Sequence, residues 1–270
     1  MQSLFTAVNV TLILSFLLYA SWSDYKTREV SNIVWAICGP MVFSITLANL
    51  LLYNLALLPY LALSFGVTAI IALLLFYTGG FGGADSKALM CIAFALPFST
   101  EALFTPLLPN GVSPLSQMLF PITILSNSVL LAATTGIYLL LYNNIWHKRL
   151  GCRMFEGTLQ HESLGKKFLT MITGYKTTIS KLKEKWHIYP MEDVEEDADN
   201  QLKRRLVILP RDEGRDEIVE RLSKAADSGK IGAHVWATPG LPMLIFITAG
   251  VLVSIFFGDI VWVVLSFILG

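Results

Sequence analysis

Three aspartates stand at or inside apolar stretches of this 270-residue chain: Asp24 in "SWSDYKTREVSN", Asp85 in "GGFGGADSK" and Asp259 in "FFGDIVW". A carboxylate in a membrane span costs about 2.5 to 3.5 kcal/mol on insertion scales, so each is a candidate for function. Two carboxylates held close titrate as a pair and share one proton. The ionised member can then take a proton from water while the other hydrogen-bonds the scissile carbonyl. Such a pair hydrolyses a peptide without a metal or a covalent intermediate.

Which two can meet depends on the elements that carry them. Hydrophobic residues make up 54% of the chain, charged ones 15%, and the mean hydropathy is +0.60, which is the composition of a membrane protein. Crossing about 30 Å of hydrocarbon takes roughly 20 apolar residues. By that measure spans are expected at 5–22, 32–53, 56–78, 118–142 and 241–268. A shorter sixth, 87–105, has an apolar run that stops at Pro97 and includes Glu101. The first segment has no positive n-region and no cleavage-like stretch before Asp24, so it reads as a retained anchor.

Charge gives the orientation. Lys26 and Arg28 follow the first span, Lys87 follows the third, and the other 17 of the 20 basic residues lie between Lys148 and Lys230. The positive-inside rule then places residues 23–31, 79–87 and 143–240 in the cytoplasm and both termini outside. The expected fold is an all-α polytopic membrane protein of about six transmembrane helices, with a small α+β cytoplasmic domain inserted before the last. In domain terms, residues 1–142 form a membrane domain with both catalytic aspartates, 143–240 the inserted domain and 241–270 the last transmembrane helix.

This topology sorts the aspartates. Asp24 ends an inward-running helix and Asp85 opens an outward-running one, so both lie at the cytoplasmic face and can pair. Asp259 lies about 18 residues, hence about 27 Å, beyond the start of its helix, which predicts a solvated residue at the outer interface. Gly79, Gly80, Gly82 and Gly83 precede Asp85. They let the chain turn sharply and let a substrate strand approach along Gly82, Gly83 and Ala84. By themselves the glycines read as a flexible turn, with Asp85 as the N-cap of the helix that follows.

The inserted segment opens with "GKKFLTMITGYKTTISKLKEKWH", whose spacing predicts an amphipathic helix, either on the anionic leaflet or packed on its own domain. The acidic run "MEDVEEDADN" reads as a flexible linker, "RLVILP" as a strand, "RDEIVERLSKAADSG" as a helix closed by Gly229, and "KIGAHVWATP" as a second strand. Cys38, Cys91 and Cys152 form no CxxC pair and read as reduced packing residues. The four histidines have no metal-ligand spacing, and "GGFGG" lacks a nucleotide fingerprint. No metal, cofactor or nucleic acid is expected.

Two motifs together carry a resemblance. "GGAD" resembles the Gly-x-hydrophobic-Asp motif of the type IV prepilin peptidases, which belong to the GxGD class of membrane aspartic proteases. "DYKTREVSN" resembles that family's first-aspartate motif: Lys26, Arg28 and Asn32 fit, and Ser31 stands where bacterial members often have proline. A domain inserted ahead of a final span opening "WATPGLPMLIF" is similar to the archaeal branch, the preflagellin and prepilin peptidases. The resemblance implies that Asp24 and Asp85 are catalytic, with Lys26, Arg28, Asn32 and Lys87 supporting them. It also implies a substrate: precursors with type IV pilin-like (class III) signal peptides, whose short basic leader precedes an apolar segment lying among membrane lipids.

Two other readings share some of these features. A presenilin-like intramembrane protease would carry Tyr-Asp in one helix and Pro-Ala-Leu in a later one. Here Ser23 precedes Asp24 and no Pro-Ala-Leu occurs. A transporter or sensor using the aspartates as a proton relay predicts polar helices near the midplane, whereas these spans are apolar apart from Asn49, Asn127 and the threonines at 134 and 135.

Overall fold

The computed structural model describes residues 2–101, 103–150, 154–196, 202–208, 214–240 and 242–269. In chain order the helices are α1 (Gln2–Thr27), α2 (Asn32–Tyr53), α3 (Leu58–Tyr77), α4 (Gly83–Ala95), α5 (Pro114–Met118), α6 (Phe120–Leu150), α7 (Leu164–Thr173), α8 (Ile179–Glu184), α9 (Arg215–Asp227), α10 (Met243–Phe256) and α11 (Ile260–Leu269). The strands are β1 (Tyr175–Thr178), β2 (Ile188–Pro190), β3 (Glu192–Glu196), β4 (Leu202–Leu206) and β5 (His234–Pro239). The chain divides into two compact units, residues 1–132 with 242–270, and residues 133–241.

Four helices are long and apolar enough to cross a membrane: Gln2–Thr27, Asn32–Tyr53, Leu55–Tyr77 and Phe120–Ile145. A fifth span is reached if α10 and α11, bent by 58° at their break, count as one. Six are not reached, because the segment 87–105 contributes only the 13-residue α4. Proline disfavours a helical residue before it and cannot donate, so α4 stops short of Pro97. Its terminal carbonyls would be costly to leave unpaired among apolar helices. Three helices supply donors: Thr46 Oγ1 to Phe94 O at 2.7 Å, Asn9 Nδ2 to Ala95 O at 3.2 Å and Ser64 Oγ to Pro97 O at 3.0 Å. Ala88, Leu89 and Ile92 of α4 are fully buried in a core shared with Ile13 and Leu17 of α1, Cys38 and Val42 of α2, and Ile247 and Val251 of α10. A short helix with one face packed in this core and tied at its far end fixes the position of Asp85 at its start.

The break in the last span overturns the expectation for Asp259. Gly258 adopts φ +83, and a Cβ there would lie 2.2 Å from Gly111 O, so the loop before α5 presses directly on the break. Asp259 is only 3% exposed, not solvated. Its carboxylate accepts from Ser113 Oγ at 2.7 Å and from the Trp262 N–H at 3.0 Å, while Asn127 Nδ2 donates to Ser254 Oγ and Gly258 O, both at 2.8 Å. Asp259→Asn puts an amide N–H2 where two donors converge. It should lower stability by about 1–3 kcal/mol. Thermal melting in detergent checks this, and an unchanged Tm would return Asp259 to the interface.

In the second unit, β5 lies between β1 and β2 in an antiparallel sheet, with Tyr175 opposite Ala237 and Ile188 opposite Pro239. A separate hairpin pairs β3 with β4. Ile179, Leu182, Val194, Val219, Leu222 and Val235 form the core between helices and sheet. Helix α9 and strand β5 match their expected positions, and Gly229 takes φ +70 just beyond α9. The single amphipathic helix does not form: the stretch breaks into α7, β1 and α8, because Gly174 ends α7 and Thr178 caps α8. Strand β4 begins earlier than "RLVILP" and includes only its first two residues. Residues 209 and 210 lie outside the described residues.

The acidic run is not a linker as far as Glu196. It is strand β3, whose Glu192 is fully buried and Asp193 3% exposed. Arg204 Nε donates to Glu192 at 3.1 Å and the Trp236 N–H at 2.8 Å. Asp193 accepts from Arg221 Nε at 3.1 Å and from an Arg205 guanidinium N–H at 3.3 Å. These cations, remote in sequence, replace the water that would otherwise keep the run in solution. Asp197 and Asp199 lie outside the described residues.

Candidate active site

Asp24 lies one turn before the end of α1, half-buried. The chain reverses there: Arg28 takes φ +58, and its N–H donates to Asp24 O at 2.9 Å, closing the helix. Ser23 Oγ and Thr27 Oγ1 both donate to Glu29 O, at 2.8 and 3.1 Å, folding the loop back onto α1. Ser31 then starts α2 as its N-cap, accepting from the Ile33 N–H at 3.4 Å. A hydroxyl cap does here what a proline does by fixing φ, so Ser31 leaves the turn intact. Lys26 reaches back over the Trp22 ring, 4.9 Å from its centroid.

Asp85 is not the N-cap of α4. Gly82 is, and Asp85 sits three residues later, its Oδ2 accepting from the Gly82 N–H at 2.9 Å. A carboxylate in the first turn also meets the positive end of the helix dipole. The left-handed backbone that demands glycine falls at Gly79, φ +77, not at Gly82 or Gly83. Gly82 matters for space: a Cβ there would stand 3.1 Å from Asp85 Oδ2, whereas one on Gly83 would meet only Phe76 at 3.6 Å. Gly82→Val should therefore displace the carboxylate and lower kcat about tenfold or more while Tm changes little, and Gly83→Val should do less. Equal rates for Gly82→Val and the parent would make the loop a mere connector. Ala84 packs on the core, and Ser86 Oγ donates to Ala72 O of α3 at 3.1 Å, steadying the same turn. Nothing in the spacing of "GGAD" singles out Ser86, because its partner lies on another helix.

The two motif loops are joined. Lys87 Nζ donates to Asn32 Oδ1 at 2.7 Å, linking the start of α4 to the start of α2. Asp85 and Asp24 are not hydrogen-bonded to each other among the described residues, but they feel each other's charge. Burial pushes the Asp85 carboxyl up to about 6, the Gly82 N–H pulls the other way, and the negative charge of Asp24 adds to the rise. Removing that charge in Asp24→Asn should lower the Asp85 pKa. Carboxyl-carbon NMR of labelled aspartate reads it, and an unmoved Asp85 titration would show that the two do not interact.

A carboxyl held near neutrality, a second carboxylate acting on it and a glycine-walled approach make up a site suited to acid–base hydrolysis. Comparison with known proteins identifies the family. The profile of the type IV leader peptidase family matches residues 11–141, which include both aspartates. A second profile, the archaeal peptidase A24 C-terminus type II, matches residues 166–260. The chain is 28% identical to a preflagellin peptidase of Methanococcus voltae over 251 residues, 90% of this chain and 92% of that protein. It is 24% identical to the preflagellin peptidase of Methanococcus maripaludis over 253 residues, again 90% and 92%. With family profiles matched over residues 11–141 and 166–260 and both aspartate motifs inside the first, the chain belongs to the type IV leader peptidase family and is a membrane protease.

Proposed function

We propose that this protease removes the leader peptide from preflagellin-like precursors by aspartic catalysis, with Asp24 and Asp85 as the dyad. The observation that carries the reading is the bond from Lys87 to Asn32, which ties the loop of Asp85 to that of Asp24, and the raised pKa of Asp85, to which the charge of Asp24 contributes, is in keeping with it. A carboxyl raised to about 6 keeps its proton to higher pH than an ordinary aspartate, and the neighbouring charge of Asp24 favours that form.

Asp85, partly buried and in its protonated form, donates a hydrogen bond to the scissile carbonyl oxygen, and ionised Asp24 takes a proton from a water. The water oxygen bonds to the carbonyl carbon, and the C–O π pair moves onto oxygen as Asp85 stabilises the developing charge. Collapse of the tetrahedral intermediate breaks the C–N bond. The leaving amine takes the proton held by Asp24, and the dyad returns to its one-proton state. The Lys87–Asn32 bridge holds the two loops in register, and Gly82 lets the substrate backbone pass close to Asp85.

The substrate class follows from the preflagellin peptidases that the chain resembles and from the placement of the site. Both aspartates sit at ends of apolar helices, where a charged leader would adjoin an apolar segment. With basic residues confined to loops 23–31 and 79–87 and to the segment 143–240, the reading puts that end, and the inserted domain, in the cytoplasm and both termini outside. Incubating the purified chain in lipid vesicles with a precursor of this class, then sequencing the new N-terminus, tests it. Cleavage between the basic leader and the apolar segment is expected. An intact precursor in the presence of properly folded enzyme would sink the proposal.

A further inference from the structure

Helix α7 is turned the wrong way for a helix in water. Its fully buried side chain is Thr170, whereas Leu164, Phe168 and Leu169 are 82%, 55% and 41% exposed. At about 100° per residue, Leu164, Phe168, Leu169 and Ile172 share one apolar arc, and Lys166, Lys167, Thr170 and Thr173 fill the other. A globular domain in water would bury the first arc and expose the second. The polar side is locked in place: Ser163 Oγ caps the Lys166 N–H at 3.4 Å, Lys166 Nζ reaches Glu162 at 3.0 Å, Lys167 Nζ donates to Gln160 O at 2.7 Å, and Thr170 Oγ1 donates to Lys166 O at 2.9 Å. The outward arc is therefore a property of the fold.

A separate observation bears on what covers it. The end of α7 is held by α6: Asn143 Nδ2 donates to Met171 O and Gly174 O, both at 2.8 Å, and a Cβ on Gly136 would stand 3.3 Å from Ile172 O. Helix α6 is apolar enough to cross a membrane over Phe120–Ile145. About 20 residues at 1.5 Å each cross the hydrocarbon, which puts its boundary at roughly residue 140, between the two contacts. Tyr138 and Tyr142, exposed and stacked with centroids 6.2 Å apart, flank that level, as tyrosines do at a membrane interface. The end of α7 is thus pinned at the depth where the span leaves the lipid.

We propose that α7 lies in the membrane interface, with Leu164, Phe168 and Leu169 inserted at the boundary between headgroups and acyl chains, and moors the 143–240 segment to the bilayer that α6 crosses. Lys166 and Lys167, on the polar arc, lie at headgroup level. The mooring needs no substrate and no catalysis, so it stands apart from the proposed reaction.

The test uses the full chain in vesicles, with Cys152→Ser leaving only the buried thiols of Cys38 and Cys91. Leu164→Cys, Phe168→Cys and Lys166→Cys are each labelled with a polarity-sensitive fluorophore. Iodide in the water should quench the labels at 164 and 168 about fivefold less than the label at 166, and lipids brominated near the headgroup end of their chains should quench 164 and 168 more. Leu164→Glu with Phe168→Glu should abolish the shielding of a label at Leu169→Cys while Tm is kept. Equal iodide quenching at all three positions would overturn the proposal. Shielding that disappears at one chain per vesicle, or that appears only with precursor, would overturn it too, by making a second copy or the substrate the occupant.

Discussion

Asp24→Asn and Asp85→Asn should each reduce precursor cleavage by about 10²–10⁴-fold, the range by which a positioned acid or base contributes, while the protein still inserts and melts as the parent does. Neither residue can stand in for the other. An amide at 85 still hydrogen-bonds the carbonyl but removes the proton whose sharing lowers the barrier, and an amide at 24 cannot take a proton from water. The Asp24 variant has a second readout, because loss of its charge lowers the Asp85 pKa whether or not chemistry occurs. The double variant should be no slower than the worse single one, since the two act as a unit. Substantial turnover by either purified single variant would remove the dyad from the mechanism.

Glu192→Ala should destabilise the second unit by about 3–5 kcal/mol, because it leaves Arg204 buried without its anion and the Trp236 N–H without an acceptor. A loss of that size is a large fraction of the stability of a domain this small. The exposed Glu195, paired with Arg205 at 2.8 Å, is a control from the same run: Glu195→Gln should change stability by less than about 1 kcal/mol. Denaturant unfolding followed by far-UV circular dichroism separates the two. Similar midpoints for Glu192→Ala and the parent would mean that the strand is held by its apolar neighbours alone.

Much of the site is legible from short stretches. Asp24 and Asp85 stand out because the free energy of moving a charge into hydrocarbon is a local quantity, read from the residues on either side. The uneven placement of 20 basic residues gives an orientation by the same kind of sum. The motifs around both aspartates, with Asn32 and Lys87 among them, mark the family before any coordinate is known. Four of the expected spans, and the helix α9 with Gly229 beyond it, follow from hydropathy and capping in the same way.

Where a charge ends up depends on partners that hydropathy does not register. The run Glu192–Glu196 has the composition of a linker, yet Arg204, Arg205 and Arg221 make it a strand, because ion pairs form across sheet and helix and not along the chain. Asp259 lies at a distance from its helix start that suits a water-facing residue. Gly111 and Gly258 bring two backbones into contact and close Ser113 and Asn127 over it. Helix α4 has a clean apolar run, but it ends inside the bundle because Asn9 and Thr46 donate to its last carbonyls and Ser64 donates to Pro97 O just beyond it. The bond from Lys87 to Asn32 and the outward face of α7 belong to the same class. By itself the sequence determined the solvent, most of the spans and the family, and singled out the two candidate aspartates, since each rests on a local transfer energy or a short motif. The tertiary structure decided which charges are buried, where helices stop and which face of α7 looks outward, since each requires groups far apart in the chain to meet.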